Sequence, residues 1–448
     1  MSVAIPAGFR AIPLSLAQLS LAAVLKCGQS FRWSIFPLQT GEQSLLDQSS
    51  PTHEYRLCLR DRVICLQQSR EALFYRTVFP SATVEDLEAR EAETLAWIKD
   101  YFQLDIDLVE LYKQWSMMDP VFYRLRDRFE GIRMLRQDPF ENLISFICSS
   151  NNNIARITKM VKSLCLHYSP PLLTLPPPPR SALPAETYHP FPSPSALAAP
   201  DVSARLRALG FGYRADFIQR TAAMLVAAHG VDRNPRTLME PSEEWLLTLR
   251  RLSTAEARAE LLKFVGVGRK VADCILLMSL DKREVIPVDT HVHQIAAKHY
   301  GLKGGSKTTN MTPKLYDEVS NKLANVWGEY AGWAHSVLFT SDLKSFASYG
   351  LPSTPATPSL TPDRASNSPI VTDSPLGTPV DEPPPSTGKR KRNAIGKFTT
   401  PSNTFVEVAD TLPESLVTET GGSLAERVKR RRRGASALVS GPGMQVPG

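Results

Sequence analysis

The stretch from Leu261 to Leu280 reads LLKFVGVGRKVADCILLMSL. Two apolar, helix-compatible runs meet at Gly266-Val267-Gly268, and Lys270 follows at once. Glycine has no Cβ, so such a turn can reach positive φ and let a surface approach the backbone. The spacing predicts a second helix from about Arg269, with its first N–H groups unpartnered and pointing out of the turn. Those groups and the helix dipole suit a phosphate. An ordinary corner between two helices is the plain alternative, and Gly-x-Gly alone does not exclude it. Lys270 shifts the balance. The positive end of the helix dipole disfavours a cation there, and partial burial acts the same way, so a partly neutral amine is expected. A neutral amine can attack an electrophilic carbon and form a Schiff base. Phosphate contact is the alternative for Lys270 taken by itself.

Downstream lies VIPVDTHV, residues 285–292, a strand-like lead into an amphipathic helix from His291 to Tyr300. Asp289 is placed to cap that helix. A carboxylate facing a sugar could also stabilise positive charge at an anomeric carbon, and the two roles are compatible. His291 is read either as a phosphate contact or as a core histidine.

The chain has 448 residues, 42% hydrophobic and 22% charged, which leaves room for two or three domains with a substantial core. Its net charge is +7. From Gly350 onward there are 12 Lys/Arg and 9 Asp/Glu, so the tail supplies 12 − 9 = +3 of it. The rest is only mildly basic, and any nucleic-acid site must be a local patch. None of the six cysteines (27, 58, 65, 148, 165 and 274) forms a C-x-x-C pair or zinc spacing, so reduced thiols without a metal or iron–sulfur cluster are expected. No apolar run approaches the ~20 residues that span a bilayer. Arg10 and the lack of acids before Glu42 weakly resemble a transit peptide, but structured-looking sequence begins by about Leu16.

Leu16 to Lys26 is compatible with helix or strand, and Tyr55–Arg60 with Val63–Gln67 reads as an antiparallel hairpin. Glu85 to Tyr101 has helical spacing. Asp119-Pro120 and Asp138-Pro139 each place a capping Asp before a first-turn Pro. The run Ser149 to Asn153 breaks the second of these helices. The Pro-rich residues 170–200 read as a surface insertion. Helices resume at Ser203, turn at Gly210 to Arg214, and continue to Ser345. Beyond Gly350 the composition favours disorder, with basic clusters at Lys389–Arg392 and Lys429–Arg433 that fit nuclear import or nucleic-acid contact. The fold class is therefore α+β. A small antiparallel sheet domain with helices is expected over 1–115, a mainly helical domain over 116–348, and a disordered basic tail over 349–448.

The hairpin stretch and VIPVDTHV resemble the helix-hairpin-helix Gly/Pro-Asp glycosylases. CGQSFRW (27–33), ICSSNNNIARITKMV (147–161), LGFGYRA (209–215) and YAGWAHSVLF (330–339) resemble the eukaryotic 8-oxoguanine DNA glycosylases in particular. The blocks stand in that family's order and cover about Leu16 to Ser345.

The resemblance implies a base-flipping enzyme. Lys270 would attack C1′ and expel the oxidised base, and the resulting Schiff base would allow β-elimination, with Asp289 as the essential carboxylate. The carbonyl of Gly28 would accept the hydrogen that 8-oxoguanine, unlike guanine, carries at N7. A strand bulge is the plain reading of that glycine. The flipped base would lie between Cys274 and Phe339, which otherwise read as core. Asn151, Arg156 and Arg214 would fill the stack and read the opposite cytosine, with Tyr213 as a wedge. Gly266, Gly268 and Val271, with His291, would hold the backbone. One position departs: His335 stands where the family usually has Gln, and an imidazole presents its donor and acceptor differently and titrates. Altered base affinity or pH dependence is expected.

The implied protein is a bifunctional glycosylase and AP lyase for 8-oxoguanine opposite cytosine. Its partner would be duplex DNA, not a membrane. A monomer without a cofactor is expected, nuclear with a secondary mitochondrial pool, its tail available to import receptors. Clustered carbonyls at the hairpin are compatible with a structural cation. The rivals are a related glycosylase for another damaged base and a non-catalytic damage-binding module. The missing cysteine cluster and Lys270 count against the first, and a covalent adduct would exclude the second.

Overall fold

Tyr55 and Leu57 pair with Leu66 and Ile64 and put four buried apolar side chains on one face of a hairpin. This is the hairpin read from sequence, β3 (His53–Cys58) and β4 (Val63–Gln68). It sits inside a larger antiparallel sheet with β1 (Arg10–Pro13), β2 (Ser34–Pro37) and β5 (Ala72–Val78), in the order β1-β5-β4-β3-β2. The computed structural model describes residues 4–38, 50–81, 84–179, 181, 183–302 and 311–351.

The helices are α1 (Leu21–Val24), α2 (Val84–Tyr101), α3 (Leu108–Met118), α4 (Pro120–Leu125), α5 (Pro139–Cys148), α6 (Ile154–Tyr168), α7 (Pro194–Ala198) and α8 (Val202–Ala208). They continue with α9 (Arg214–His229), α10 (Pro241–Thr248), α11 (Thr254–Leu261), α12 (Arg269–Ser279), α13 (Thr290–His299), α14 (Pro313–Trp327) and α15 (Ala331–Asp342). Asp119 accepts from the Val121 amide and Asp138 from the Glu141 amide, so both Asp-Pro caps form as expected. No described helix is long and apolar enough to cross a membrane.

Both faces of the sheet are covered. One packs on Trp33, Ile98, Tyr101 and Phe102. The other carries the buried Glu54–Arg56 pair, and the Arg56 guanidinium donates to the Pro176 carbonyl at 2.7 Å. The 170–200 insertion is therefore not a featureless loop. It folds as strands β6 (Leu173–Leu175) and β7 (Glu186–Tyr188), followed by α7, and Tyr188 joins Cys58, Val63 and Cys65 in a small core. Polar groups at the sheet's far face, together with Tyr188, hold it there.

The described residues of Met1–Pro358 belong to one compact unit. Ala23 and Cys27, from the sheet region, pack with α3, α4 and α13–α15. A second core joins α5, α6 and α8–α12. Helix α12 lies at the seam, giving Cys274, Ile275 and Leu276 to one core and Leu277 to the other. Leu16–Lys26 resolves into the single turn α1. At the far end, Arg128 donates to the carbonyls of Phe346, Ala347 and Tyr349, and the Tyr349 and Ser20 hydroxyls are 2.9 Å apart. The basic clusters of the tail lie outside the described residues.

Candidate active site

Helix α11 ends at Leu261, so residues 262–268 form a longer turn than the apolar run implied. The two glycines do different things. Gly266 has φ +83°, and a Cβ there would come within 2.6 Å of the Phe217 ring, so the fold itself requires it. Gly268 is extended (φ −89°, ψ 177°) and caps α12, and a Cβ on it would meet nothing within 4 Å. That open space lies beside the turn's free amides. Ala272 donates to the Gly268 carbonyl, and among the described residues the amides of Arg269, Lys270 and Val271 have no acceptor.

Lys270 is half-buried, with Nζ 5.2 Å from the centroid of the Phe146 ring. Cys274 follows one turn later and is 3% exposed. Burial pushes its thiol up to about 11, partly offset by the charge and hydrogen bond of Lys270, while Asp289 acts the other way. Lys270, Cys274 and Asp289 therefore share one electrostatic environment, and a neutral thiol there serves as an apolar wall rather than a nucleophile.

Asp289 caps α13 as its position predicts. A single oxygen, Oδ1, accepts from the amides of His291 at 2.9 Å and Val292 at 3.0 Å. Oδ2 carries no part of the cap, so capping and chemistry can be shared between the two oxygens. His291, half-buried, has Nδ1 3.3 Å from Asp342 Oδ2 and meets the Phe339 ring edge-on at 5.5 Å.

Phe339 is part-buried on α15, one turn beyond His335 and 6.2 Å from its ring. The amide of Gly332 donates to the Arg283 carbonyl at 2.9 Å and so docks α15 against the segment leading to Asp289. His335 is 5% exposed, and among the described residues its Nε2 has no hydrogen-bond partner. Burial drives its pKa down to about 4, against a smaller upward pull from Asp289. The ring is neutral at ordinary pH. Burial therefore acts against protonation of the ring, while the altered base affinity or pH dependence expected from the sequence stays a matter for measurement.

Gly28 is not in a strand bulge. It forms a bend between α1 and β2 with φ +90°, and a Cβ would lie 2.9 Å from Ile154 Cδ1. Among the described residues nothing donates to its carbonyl. The bend is held by its neighbour Gln29, which donates to the Arg133 carbonyl at 3.1 Å and accepts from the Leu135 amide at 2.9 Å. Gln137 donates to the Gln29 carbonyl at 2.8 Å. Gln29 and Phe146 are given no role from the sequence, and Ile154 only marks the buried face of the helix after the Asn run.

The Asn run does break the helix: Asn151 is exposed at φ +48°, and Asn153 caps α6 through the Arg156 amide. Arg156 is exposed, with Nη2 3.3 Å from the Gly210 carbonyl. Tyr213 is 46% exposed, and its hydroxyl donates to the Ser150 carbonyl at 3.0 Å. Arg214 faces inward at 3% exposure, donating to the carbonyls of Ser150 and Asn151 and stacking at 4.6 Å on Tyr213. The turns at 150 and 210 are thus tied into one projecting unit.

Residues 11–143 match the 8-oxoguanine DNA glycosylase N-terminal domain, and residues 144–322 match the HhH-GPD superfamily base excision DNA repair protein. The chain is 37% identical over 335 residues to an N-glycosylase/DNA lyase of Arabidopsis thaliana, spanning 74% of this chain and 80% of that one. It is 33% identical over 350 residues to the Saccharomyces cerevisiae N-glycosylase/DNA lyase, spanning 75% and 86%. Its fold resembles that of the Clostridium acetobutylicum 8-oxoguanine glycosylase/lyase solved with duplex DNA containing cytosine opposite 8-oxoG. That match has a TM-score of 0.52 at 26% identity, over 72% of this chain and 91% of that one. With a two-part match running through the sheet, the hairpin and the lysine helix, this chain belongs to the 8-oxoguanine DNA glycosylase family.

Proposed function

We propose that this protein excises 8-oxoguanine from opposite cytosine in duplex DNA and then cleaves the strand by β-elimination. The observation that carries the reading is Lys270, half-buried over Phe146 at the start of the hairpin helix and sharing its surroundings with Asp289. Its amine attacks C1′ of the flipped nucleotide while the glycosidic bond breaks and the base leaves with a proton. Opening of the sugar ring at the C1′–O4′ bond, with a proton passing from the amine to O4′, gives the Schiff base, and removal of a C2′ proton expels the 3′ phosphate. Asp289 Oδ2 steadies positive charge at the sugar while Oδ1 keeps the cap.

The base is held between Cys274 and Phe339, its N7–H donating to the Gly28 carbonyl and its Watson–Crick edge meeting the neutral imidazole of His335. Free amides at Gly268–Val271, with His291, take phosphates, as the open space at Gly268 allows. Asn151, Arg156, Tyr213 and Arg214 occupy the gap left by the flipped nucleotide and face the estranged cytosine. For Arg214 this requires leaving the Ser150 and Asn151 carbonyls. The reaction takes no cofactor, and the enzyme acts as a monomer. Its domains run over 1–115, 116–348 and 349–448. The basic clusters of the tail address it to the nucleus through import receptors, with a lesser mitochondrial pool.

Borohydride trapping on an 8-oxoguanine:cytosine duplex tests this reading. Wild-type protein gives a covalent adduct and Lys270→Ala gives none; absence of a Lys270-dependent adduct overturns it.

A further inference from the structure

The lysine and the carboxylate come from different segments, and something must fix one against the other. On α12, Asp273 lies three residues past Lys270 and is 1% exposed. Its Oδ1 accepts from Arg258 Nε of α11 at 2.6 Å. Its Oδ2 accepts from the Tyr316 hydroxyl of α14 at 2.6 Å. That hydroxyl also accepts, at 3.0 Å, from the backbone amide of Val288, the residue immediately before Asp289. Tyr316 is itself 4% exposed, and the Arg269 guanidinium covers its ring at 4.5 Å. The relay runs from the lysine helix through one buried carboxylate and one phenol to the backbone that presents Asp289.

We propose that Tyr316 is a positioning residue, whose hydroxyl fixes the Asp289 carboxylate relative to the Lys270 amine by joining Asp273 to the Val288 amide. The proposal rests on the roles given above to Lys270 and Asp289. A buried carboxylate is costly unless its lone pairs are satisfied. Simple packing of α12 on α14 would be served as well by an apolar pair, so its cost calls for a return. The return is register. The amide held is adjacent to the carboxylate, and a displacement of about 1 Å between reacting groups can cost on the order of 10²-fold in rate. Arg258 holds the same carboxylate from the other side but reaches no part of residues 285–289, so it stiffens the helix without setting the register.

The two bonds to Asp273 therefore separate positioning from stability. Tyr316→Phe keeps the ring and loses the hydroxyl; Arg258→Met keeps the stem and loses the other bond. Both proteins are measured well below their melting midpoints. The readouts are single-turnover base excision, duplex affinity, and borohydride trapping on a duplex carrying a preformed abasic site. Tyr316→Phe is expected to lower excision by about tenfold or more with affinity unchanged. Its trapping on the abasic duplex falls much less, because that step needs Lys270 but no departing base. Arg258→Met keeps excision within about twofold of wild type while its melting midpoint falls at least as far. Equal loss of excision in the two variants, or a Tyr316→Phe loss matched by trapping, overturns the proposal. Failure of the wild-type protein to trap at all would instead overturn the assignment of Lys270.

Discussion

Around helices α12 and α15, Cys274 and His335 are 3% and 5% exposed, and Asp289 has one oxygen fixed by two amides. On the projecting turns Asn151 and Arg156 are exposed and Tyr213 is 46% exposed. The first region is finished before any ligand arrives, its geometry imposed by the same packing that folds the protein. The second is held by a few hydrogen bonds to carbonyls of Ser150, Asn151 and Gly210, several of which the proposed DNA contacts would replace. The chemistry proposed for Lys270 and Asp289 sits where packing is dense, and the groups proposed to enter a duplex sit where rearrangement is cheap.

The largest expected effect tests the finished side. Asp289→Asn keeps an oxygen for the cap and loses the charge. Single-turnover excision should fall on the order of 10²-fold or more while the melting midpoint stays near wild type. Near-normal excision by this variant would leave Asp289 as a cap and nothing more.

The hairpin glycines sharpen the contrast within a single turn. Gly266→Ala faces both φ +83° and the Phe217 ring, and a loss of about 1–3 kcal/mol is expected in denaturant melts. Gly268→Ala meets open space, so stability should hold within about 0.5 kcal/mol while duplex binding weakens by about tenfold. Equal stability losses at the two sites would mean that Gly268 serves the fold and not the ligand.

On the projecting side, Tyr213→Ala should cost no more than about 1 kcal/mol of stability. Its effect is expected in discrimination, read as the ratio of excision rates opposite cytosine and opposite adenine. A stability loss of the size seen for core truncations, about 3–5 kcal/mol, would erase the distinction between the regions.

The smallest effect concerns His335. With its pKa lowered from 6.5 to about 4, the folded protein resists a proton that the unfolded chain accepts. The neutral ring's stability is complete above 6.5 and is lost as pH falls toward 4. His335→Gln should therefore flatten acid melting below 6.5, and base affinity of the wild-type protein should stay level from pH 6 to 8. A wild-type affinity that changes across pH 6 to 8, and does so only while His335 is present, would show a ring less dehydrated than its burial implies.

What could be read beforehand was mostly local. Lys270 and Asp289 announce themselves because a Gly-x-Gly turn and an Asp cap are patterns of adjacent residues. The Asp-Pro caps at 119 and 138 are legible for the same reason. Strands β1 and β2 are four residues each, too short to show a period, and β5 reads as an apolar run that helix or strand would fit. The 170–200 insertion looks unstructured because its partners, Arg56 and Cys58, lie more than a hundred residues away. Gly28, Cys274 and Phe339 could be assigned only through family resemblance, since they lie in three segments far apart in the sequence. Tyr316 was invisible, as one tyrosine in an amphipathic helix carries no mark of the amide it will meet.

The clasp at the end of the folded unit bears on how freely the protein can change. Arg128 grips the carbonyls of Phe346, Ala347 and Tyr349, and Tyr349 reaches back to Ser20. A stop codon placed after Leu351 would spare every one of these bonds, whereas one placed before Phe346 would remove them all. A truncation series read by melting should therefore break between Phe346 and Leu351, where the clasp is lost.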